Sequence, residues 1–175
     1  MDTTDWPRVS EILDTKDWGI KKAPKFILRK YGAYGTSFHN LVHKKVTGKR
    51  CRVTQRFKDK WEVFREYLKQ YEILRSEEQV YWISDKDPSR RYKGTPDLLV
   101  RKIADNTTWI LDVKTGKFYE RHWYQQSAYK LALEQRMGIK IDGMILVRPQ
   151  VDCVEEEDCE NRETEFLELL DKYNA

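Results

Sequence analysis

Two short apolar runs each adjoin an aspartate, and this arrangement constrains the fold more than any other part of the chain. Leu98-Leu99-Val100 follows Asp97, and Trp109-Ile110-Leu111 leads into Asp112-Val113-Lys114. Runs of this kind, separated by the turn residues Asp105-Asn106, predict two neighbouring strands. Side chains alternate along a strand, so Asp112 and Lys114 project to one side and Val113 to the other. We therefore expect two strands to bring two carboxylates and a lysine together.

These side chains suit the hydrolysis of a phosphodiester. Carboxylate oxygens are hard ligands for a divalent cation, and a lysine beside them can orient a water or stabilise an anionic transition state. The alternative for Asp97 is a turn or capping aspartate, and the alternative for Lys114 is a salt-bridge partner of Asp112. A charged Asp112 within an apolar run would be unfavourable unless it is paired or bound to a metal. Metal-dependent catalysis explains all three positions together.

Three short motifs occur in the order and spacing of a known nuclease family. Pro96-Asp97 followed by Asp112-Val113-Lys114 resembles the PD-(D/E)XK nuclease signature. Gly35-Thr36-Ser37-Phe38-His39 is similar to the Gly-x-x-x-His element of the RecB-like branch, and Gln125-Gln126-Ser127-Ala128-Tyr129 contains its Gln-x-x-x-Tyr pattern. The resemblance spans residues 35–129. It implies a restriction-endonuclease-like α/β fold, in which a mixed central sheet with an αβββαβ core is flanked by helices.

The spacing of apolar residues predicts the same order of elements. We expect a helical N-terminal region, with helices at residues 7–17, 22–31 (ended by Gly32), 35–48 and 55–73. We expect strands at 79–84, 92–103, 107–114 and 141–147, a helix at 119–137 closed by Gly138, and a last helix at 163–173. One domain then accounts for residues 1–175: a helical part at 1–75, a catalytic sheet and helix at 76–150, and an acidic segment at 151–175.

The resemblance assigns roles to individual residues. Asp97, Asp112 and Lys114 would be catalytic. The two aspartates and the Val113 backbone carbonyl would bind Mg²⁺ or Mn²⁺, and Lys114 would contact the nucleophilic water or the scissile phosphate. His39 would be a further metal ligand, although a lone histidine on an apolar helix face is more often structural.

A second metal ion would need another carboxylate. His43, four residues after His39, stands where some relatives have an acidic residue. Glu78, at the head of the predicted first strand, is the expected substitute, and Glu77 is the less favoured one.

The helix at 119–137 carries the remaining candidates. Gln125 and Tyr129 are four residues apart and share a helix face. The resemblance places Gln125 near the catalytic lysine and the DNA backbone, with Tyr129 supporting it, while the alternative for Tyr129 is a core residue with a polar tip. Arg121, Trp123 and Tyr124 at the helix start could guide a single strand, because aromatic rings stack on bases and guanidinium groups bind phosphates. Trp123 could equally belong to the core.

Charge is distributed unevenly along the chain. Residues 21–60 contain thirteen Lys or Arg and one acidic residue, whereas residues 152–175 contain ten Asp or Glu against Arg162 and Lys172. A basic block suits a polyanionic partner, since phosphate contacts release counterions. We expect Lys44 and Lys45 to contact DNA, in single strands or at ends. The alternatives are a solvated helix face and an acidic protein partner.

Composition indicates a globular protein of an intracellular, reducing compartment. No apolar run approaches the length of a membrane span, and residues 1–7 do not resemble a secretory signal. Cys51, Cys153 and Cys159 predict no disulfide framework. Some RecB-like nucleases carry an iron–sulfur cluster, but Gln150 stands where one of its cysteines would be, and three cysteines cannot supply four thiolates. We therefore expect no iron–sulfur cluster. We expect a protein that is cytoplasmic or encoded by a phage.

The leading expectation is a metal-dependent deoxyribonuclease. Small phage and organellar exonucleases and the RecB-like CRISPR-associated nucleases are the members that this chain resembles. An exonuclease acting on DNA ends or single strands in repair, recombination or genome processing follows from that resemblance. The alternatives are a structure-selective endonuclease of the junction-resolvase type and a non-catalytic nucleic-acid-binding module with a nuclease fold. The presence of Asp97, Asp112 and Lys114 argues against the non-catalytic module.

Overall fold

The computed structural model of the protein describes residues 2–20 and 24–175, which form five α-helices and seven β-strands. The helices are α1 (Val9–Leu13), α2 (Lys25–Val46), α3 (Lys58–Leu68), α4 (Glu120–Met137) and α5 (Glu163–Asn174). The strands are β1 (Tyr71–Ser76), β2 (Val80–Ile83), β3 (Arg91–Gly94), β4 (Leu98–Lys102), β5 (Thr108–Val113), β6 (Gly143–Pro149) and β7 (Val154–Asp158). A short 3₁₀ turn, Gln55–Phe57, leads into α3.

Five of the strands form one mixed sheet in the order β1-β4-β5-β6-β7. β5 and β6 are parallel, with α4 as the connection between them, and the other neighbouring pairs are antiparallel. β2 and β3 pair with each other in a separate two-stranded sheet. The order α3, β1, β4, β5, α4, β6 contains the expected αβββαβ series, with β2 and β3 inserted. The expectation of an α/β fold with a mixed sheet, flanking helices and a helical N-terminal region is confirmed.

Apolar side chains cover both faces of the sheet, because the side chains of each strand alternate. One core lies between the sheet and α1, α4 and α5, and Ile110 contributes to it. The other core lies under α2 and α3, and Leu111 and Val113 contribute to it. Asp112 stands between these last two residues, so its carboxylate is on the side of the sheet that α4 covers.

α2 is one continuous helix, whereas the sequence predicted two helices interrupted near Gly32. It has 22 residues and runs through both Gly32 and Gly35. A glycine inside a helix is unfavourable by only about 0.5–1 kcal/mol, and buried residues further along the helix, such as Phe38, outweigh this. The predicted start at Lys22 lies outside the described residues. Over the described parts of the chain, no helix combines the length and apolarity needed to cross a bilayer.

The first strand of the core lies outside the segment predicted for it. α3 ends at Leu68, and residues 71–76, expected to be helical as far as Ile73, form β1. Apolar residues at 71 and 73 alternate with Glu72, but Tyr71, three residues after Leu68, also continues the apolar spacing of the helix. Pairing of β1 with β4 decides between the two conformations. The predicted strand at 79–84 corresponds to β2, in the smaller sheet.

The predicted strand at 92–103 is divided between two sheets. β3 ends at Gly94, and β4 begins at Leu98. Pro96 lies in the interruption and, having no amide hydrogen, cannot continue a hydrogen-bonded ladder. The interruption leaves Asp97 directly before β4, as predicted.

An edge strand occupies the segment that was predicted only to be acidic. β7 pairs antiparallel with β6, and its Glu155 lies opposite Arg148. Four consecutive acidic residues in β7 obscured the strand. Charged residues are nevertheless common on edge strands, where they discourage pairing with a second chain.

Two glycine substitutions test the continuous α2. We expect Gly32→Ala to raise the free energy of unfolding by about 0.5–1 kcal/mol, because alanine is favoured inside helices. Among the described residues, nothing beyond the helix's own backbone lies within 4 Å of the new methyl group. Gly35→Ala should gain less or lose stability, since its Cβ would lie 3.2 Å from Thr115 Oγ1. Urea denaturation measures both, and destabilisation by Gly32→Ala would contradict a helix through this position.

Candidate active site

Two aspartates lie side by side where β4 begins and β5 ends. Leu98 and Leu111 are opposite residues of the antiparallel pair, so Asp97 and Asp112 come next on their strands. The Val113 amide donates a 2.7 Å hydrogen bond to Asp97 Oδ2. Only 13% of the Asp97 side chain and 3% of the Asp112 side chain are exposed. Two like charges are thus held together with little access to solvent.

A histidine from α2 and a glutamate after β1 join this pair. His39 Nδ1 lies 3.1 Å from Asp97 Oδ1 and 4.0 Å from Glu77 Oε1. The Glu77 amide donates a 2.9 Å hydrogen bond to the Asp97 carbonyl, and its φ of +51° is uncommon for a residue other than glycine. One ligand atom from each of the three residues lies within 4.8 Å of the other two. This spacing suits a single metal ion.

Gly35 allows α2 to approach the end of β5. A Cβ at this position would lie 3.2 Å from Oγ1 of Thr115, the residue after Lys114. His39 is four residues further along α2 and therefore on the same side of the helix. The Gly-x-x-x-His spacing thus has a structural basis: the glycine permits close packing, and the histidine reaches Asp97.

Lys114, Gln125 and Tyr129 form a chain of contacts from Asp112 to α4. Lys114 Nζ lies 2.6 Å from Asp112 Oδ2 and donates a 3.2 Å hydrogen bond to Gln125 Oε1. Gln125 Nε2 donates a 2.9 Å hydrogen bond to the Tyr129 hydroxyl. The Tyr129 ring packs on Gly94, where a Cβ would lie 2.4 Å from the ring. The sheet and α4 together fix the position of the Lys114 ammonium group.

The environment makes Asp112 a weaker acid than Asp97. Burial raises the pKa of Asp112 to about 6; attraction to Lys114 opposes this rise and repulsion from Asp97 adds to it. Burial also opposes ionisation of Asp97, but the charge and hydrogen bond of His39 lower the pKa of Asp97. Burial disfavours the imidazolium form of His39, yet the Asp97 charge and hydrogen bond raise the pKa of His39. Without a metal, Asp97 therefore stays ionised in acid where Asp112 takes up a proton.

The ligand atoms of this group are close enough together to hold a metal ion. Buried Asp112 Oδ2 is at ion-pair distance from Lys114, but their angles do not make a good hydrogen bond, so this oxygen retains a lone pair. Burial and repulsion from Asp97 raise the pKa of Glu77, and a cation would relieve this repulsion. Carboxylate oxygens favour Mg²⁺ and Mn²⁺, while the imidazole of His39 is better suited to a transition ion such as Mn²⁺.

Glu78 is directed away from this group, contrary to the sequence prediction. Its carboxylate pairs with Arg75 at 3.0 Å and with Arg136 at 3.1 Å. Glu77 instead faces Asp97 from the turn after β1. The structure therefore favours Glu77 over Glu78 as a member of the group, and this could not be predicted because β1 itself was not recognised.

The start of α4 offers less aromatic surface than predicted. Tyr124 is 6% exposed and its hydroxyl accepts a 3.1 Å hydrogen bond from Lys16, so stacking of a base on Tyr124 is not possible in this conformation. Trp123 Nε1 donates a 2.9 Å hydrogen bond to Glu157, and the guanidinium of Arg162 lies over the Trp123 ring. These contacts favour the structural interpretation of both aromatic residues.

The predicted phosphate contacts differ in availability. Arg121 is paired with Asp14 at 3.1 Å. Lys45 Nζ donates a 3.1 Å hydrogen bond to the Cys51 carbonyl and thereby holds the segment that follows α2. Lys44 is exposed in the last turn of α2. Of these three cations, Lys44 is the most accessible to a ligand.

The three cysteines have free thiols. Cys153 and Cys159 lie on either side of β7, so this strand separates them. Burial raises the pKa of the Cys159 thiol.

Comparisons with known proteins do not identify a family. No family model matches the chain, and no curated protein matches it. Similar solved structures include a crystal structure of SSO0001, with 17% identity over 62% of this chain and a TM-score of 0.43. The chain spans about half of that protein, 53% of its length. Similarity at this level assigns no function.

The different acidities of the two aspartates predict opposite effects of amide substitutions. In metal-free protein at pH 8, we expect Asp112→Asn to raise the free energy of unfolding by about 1–3 kcal/mol, because a pKa raised on folding disfavours the ionised folded state. This gain in stability should fade as the pH falls from 6 towards 3.8, which is the pKa of the carboxyl group in the unfolded chain.

Asp97→Asn is the matched comparison. Because folding lowers the pKa of Asp97, its carboxylate stabilises the fold above the unfolded pKa, and this stabilisation is lost as the pH falls through the folded pKa. The substitution should therefore destabilise the protein at pH 8. Urea denaturation with EDTA across a pH series measures both variants, and a loss of stability in Asp112→Asn at pH 8 would contradict this account.

Proposed function

We propose that the protein is a deoxyribonuclease that hydrolyses phosphodiester bonds with Mg²⁺ or Mn²⁺, as a RecB-like member of the PD-(D/E)XK nucleases. The observation that carries the proposal is the grouping of ligand atoms from His39, Glu77 and Asp97 within 4.8 Å. Asp112 and Lys114 adjoin this group, 2.6 Å apart. Residues from two separate sequence motifs therefore meet at one place, which supports a common chemical role.

The carboxylates and the histidine would hold the ion. Asp97 and Asp112 are its central ligands in this proposal, Glu77 and His39 complete the set, and the Val113 carbonyl is a further candidate. A divalent cation held there supplies a more acidic bound water and neutralises charge on the phosphate.

Lys114 would act on the reacting phosphate. Its ammonium is fixed between Asp112 and Gln125, and it needs no rearrangement to face negative charge that develops beside Asp112. Gln125 is a positioning residue in this scheme, since it holds Lys114 and is itself held by Tyr129.

The proposed substrate is DNA with ends or single-stranded regions, which implies an exonuclease in repair, recombination or genome processing. Support comes from the thirteen basic residues among residues 21–60, in the part of the chain that also carries His39. Phosphate contacts from such a block give affinity that does not depend on sequence.

Cleavage of end-labelled DNA tests the proposal directly. We expect Mn²⁺-dependent release of short products from the ends of single- or double-stranded DNA, and none with EDTA. Asp97→Ala and Asp112→Ala should each lower the rate by about 10³-fold or more, because several kcal/mol of charge stabilisation depend on the ion.

Glu77→Gln and Glu78→Gln form a matched pair in the same assay. Glu77→Gln should weaken Mn²⁺ binding and cleavage, whereas Glu78→Gln should cleave at nearly the wild-type rate because its carboxylate lies in surface ion pairs. Full activity of Asp97→Ala or Asp112→Ala would overturn the proposed site. Internal fragments in place of end products would indicate an endonuclease.

Lys114→Ala separates catalysis from binding. We expect turnover to fall by about 10²–10³-fold with little loss of DNA affinity, since the ammonium would interact mainly with charge that develops during the reaction. Single-turnover rates with Mn²⁺ measure turnover, and fluorescence anisotropy with EDTA, where the DNA stays intact, measures affinity. Equal losses in binding and in turnover would make Lys114 an ordinary phosphate contact.

A further inference from the structure

A second polar cluster lies beside the carboxylate site. His43 follows His39 by four residues on the same face of α2, and Ser76 directly precedes Glu77. These four residues line one shallow crevice with Asp97. Lys49 approaches the cluster from the segment that follows α2.

The contacts in the cluster determine the proton positions. Lys49 Nζ lies 3.2 Å from His43 Nε2, and His43 Nδ1 lies 3.0 Å from Ser76 Oγ. A lysine ammonium can only donate, so Nε2 accepts, and the proton of the neutral imidazole is on Nδ1 and is donated to Ser76 Oγ. The Ser76 hydroxyl hydrogen therefore remains free to be donated to another group.

The end of α2 places Lys49 at this position. Gly48 has a φ of +70°, and the Lys49 amide donates a 2.8 Å hydrogen bond to the Lys44 carbonyl. This is a left-handed helix end that turns the chain back over the last turn of the helix. Lys49 is exposed and, among the described residues, has no carboxylate within 4.0 Å.

The groups that this cluster offers are donors. The ammonium of Lys49 and the hydroxyl of Ser76 suit an anion and not a second cation. The cluster is one helical turn, about 5–6 Å between Cβ atoms, from His39. Ser76 is also adjacent to Glu77, so a ligand of the cluster would lie beside a ligand of the carboxylate site.

We infer that Lys49, His43 and Ser76 form a subsite for a phosphate group of the nucleic acid, next to the phosphate that is cleaved. Lys49 and Ser76 bind its oxygens, and His43 is a positioning residue that fixes both. This inference rests on the proposed nuclease function. The phosphate is either an internal diester one linkage from the cleaved bond or a terminal monoester.

Neutral substitution of single phosphates tests the subsite. Two kinds of short end-labelled strand would be cleaved with Mn²⁺. Each carries one methylphosphonate in place of a phosphate, on one side or on the other side of the first cleaved linkage. We expect the wild-type rate to fall by about tenfold or more at one of these positions, as expected for the loss of a charge-assisted contact. Lys49→Gln should be slower on the unmodified strand and insensitive to that methylphosphonate.

Lys86→Gln is the matched control. It removes the same charge from an exposed position in the connection between β2 and β3, outside the basic block, and should retain the methylphosphonate penalty. His43→Gln should reduce the penalty partly, because Lys49 then loses its partner. Mn²⁺ affinity measured by electron paramagnetic resonance should be the same in Lys49→Gln and in wild type.

The outcomes separate the subsite from the nuclease proposal. Strands with a terminal phosphate or a terminal hydroxyl distinguish the two phosphate sources. A Lys49-dependent preference for a terminal phosphate assigns the monoester, and the methylphosphonate effect assigns the diester.

If wild type cleaves but Lys49→Gln shows the same penalties and preferences as wild type, the subsite is overturned and the nuclease proposal stands. Loss of Mn²⁺ binding in Lys49→Gln also overturns the subsite. Absence of any cleavage by wild type overturns both.

Discussion

Repulsion between two nearly enclosed aspartates is the interaction around which this molecule is organised. Like charges repel strongly where water is excluded, so each carboxylate needs its own partners. Asp97 has the Val113 amide and His39, and Asp112 has Lys114. These partners come from α2, from β5 and from the residue directly after β5, so the packing of the helix and the register of the strand both affect the charge balance. A bound divalent cation would offset the negative charge of both carboxylates at once, whereas each of these partners offsets it only in part.

Relations within a single element could be predicted from the sequence. Alternation along a strand places Asp112 and Lys114 on one side, and the four-residue spacing in α4 places Gln125 and Tyr129 on one helix face. The structure has these pairs as the spacing predicts, with contacts from Asp112 through to Tyr129. Neither relation requires knowledge of the rest of the chain, which is why sequence alone sufficed.

Relations between distant elements could not be predicted in this way. β1 has a sequence that also continues the preceding helix, and only its pairing with β4 makes it a strand. The choice between Glu77 and Glu78 depends on a left-handed residue in the turn after β1, which has no signature in the sequence. Tyr124 and Trp123 are neighbours in the sequence, and nothing there shows which of them is buried. The burial of Tyr124 accompanies a contact with a distant part of the chain, because Lys16 packs against the Tyr124 ring.

The acidic β7 affects how copies of this protein can meet. An outer strand presents free amide and carbonyl groups to which another chain could add. Two β7 strands brought together would align the carboxylates of Glu155 to Asp158 with those of the second copy, and like charges directly opposite each other weaken strand pairing. The composition of this strand therefore disfavours aggregation through the sheet edge.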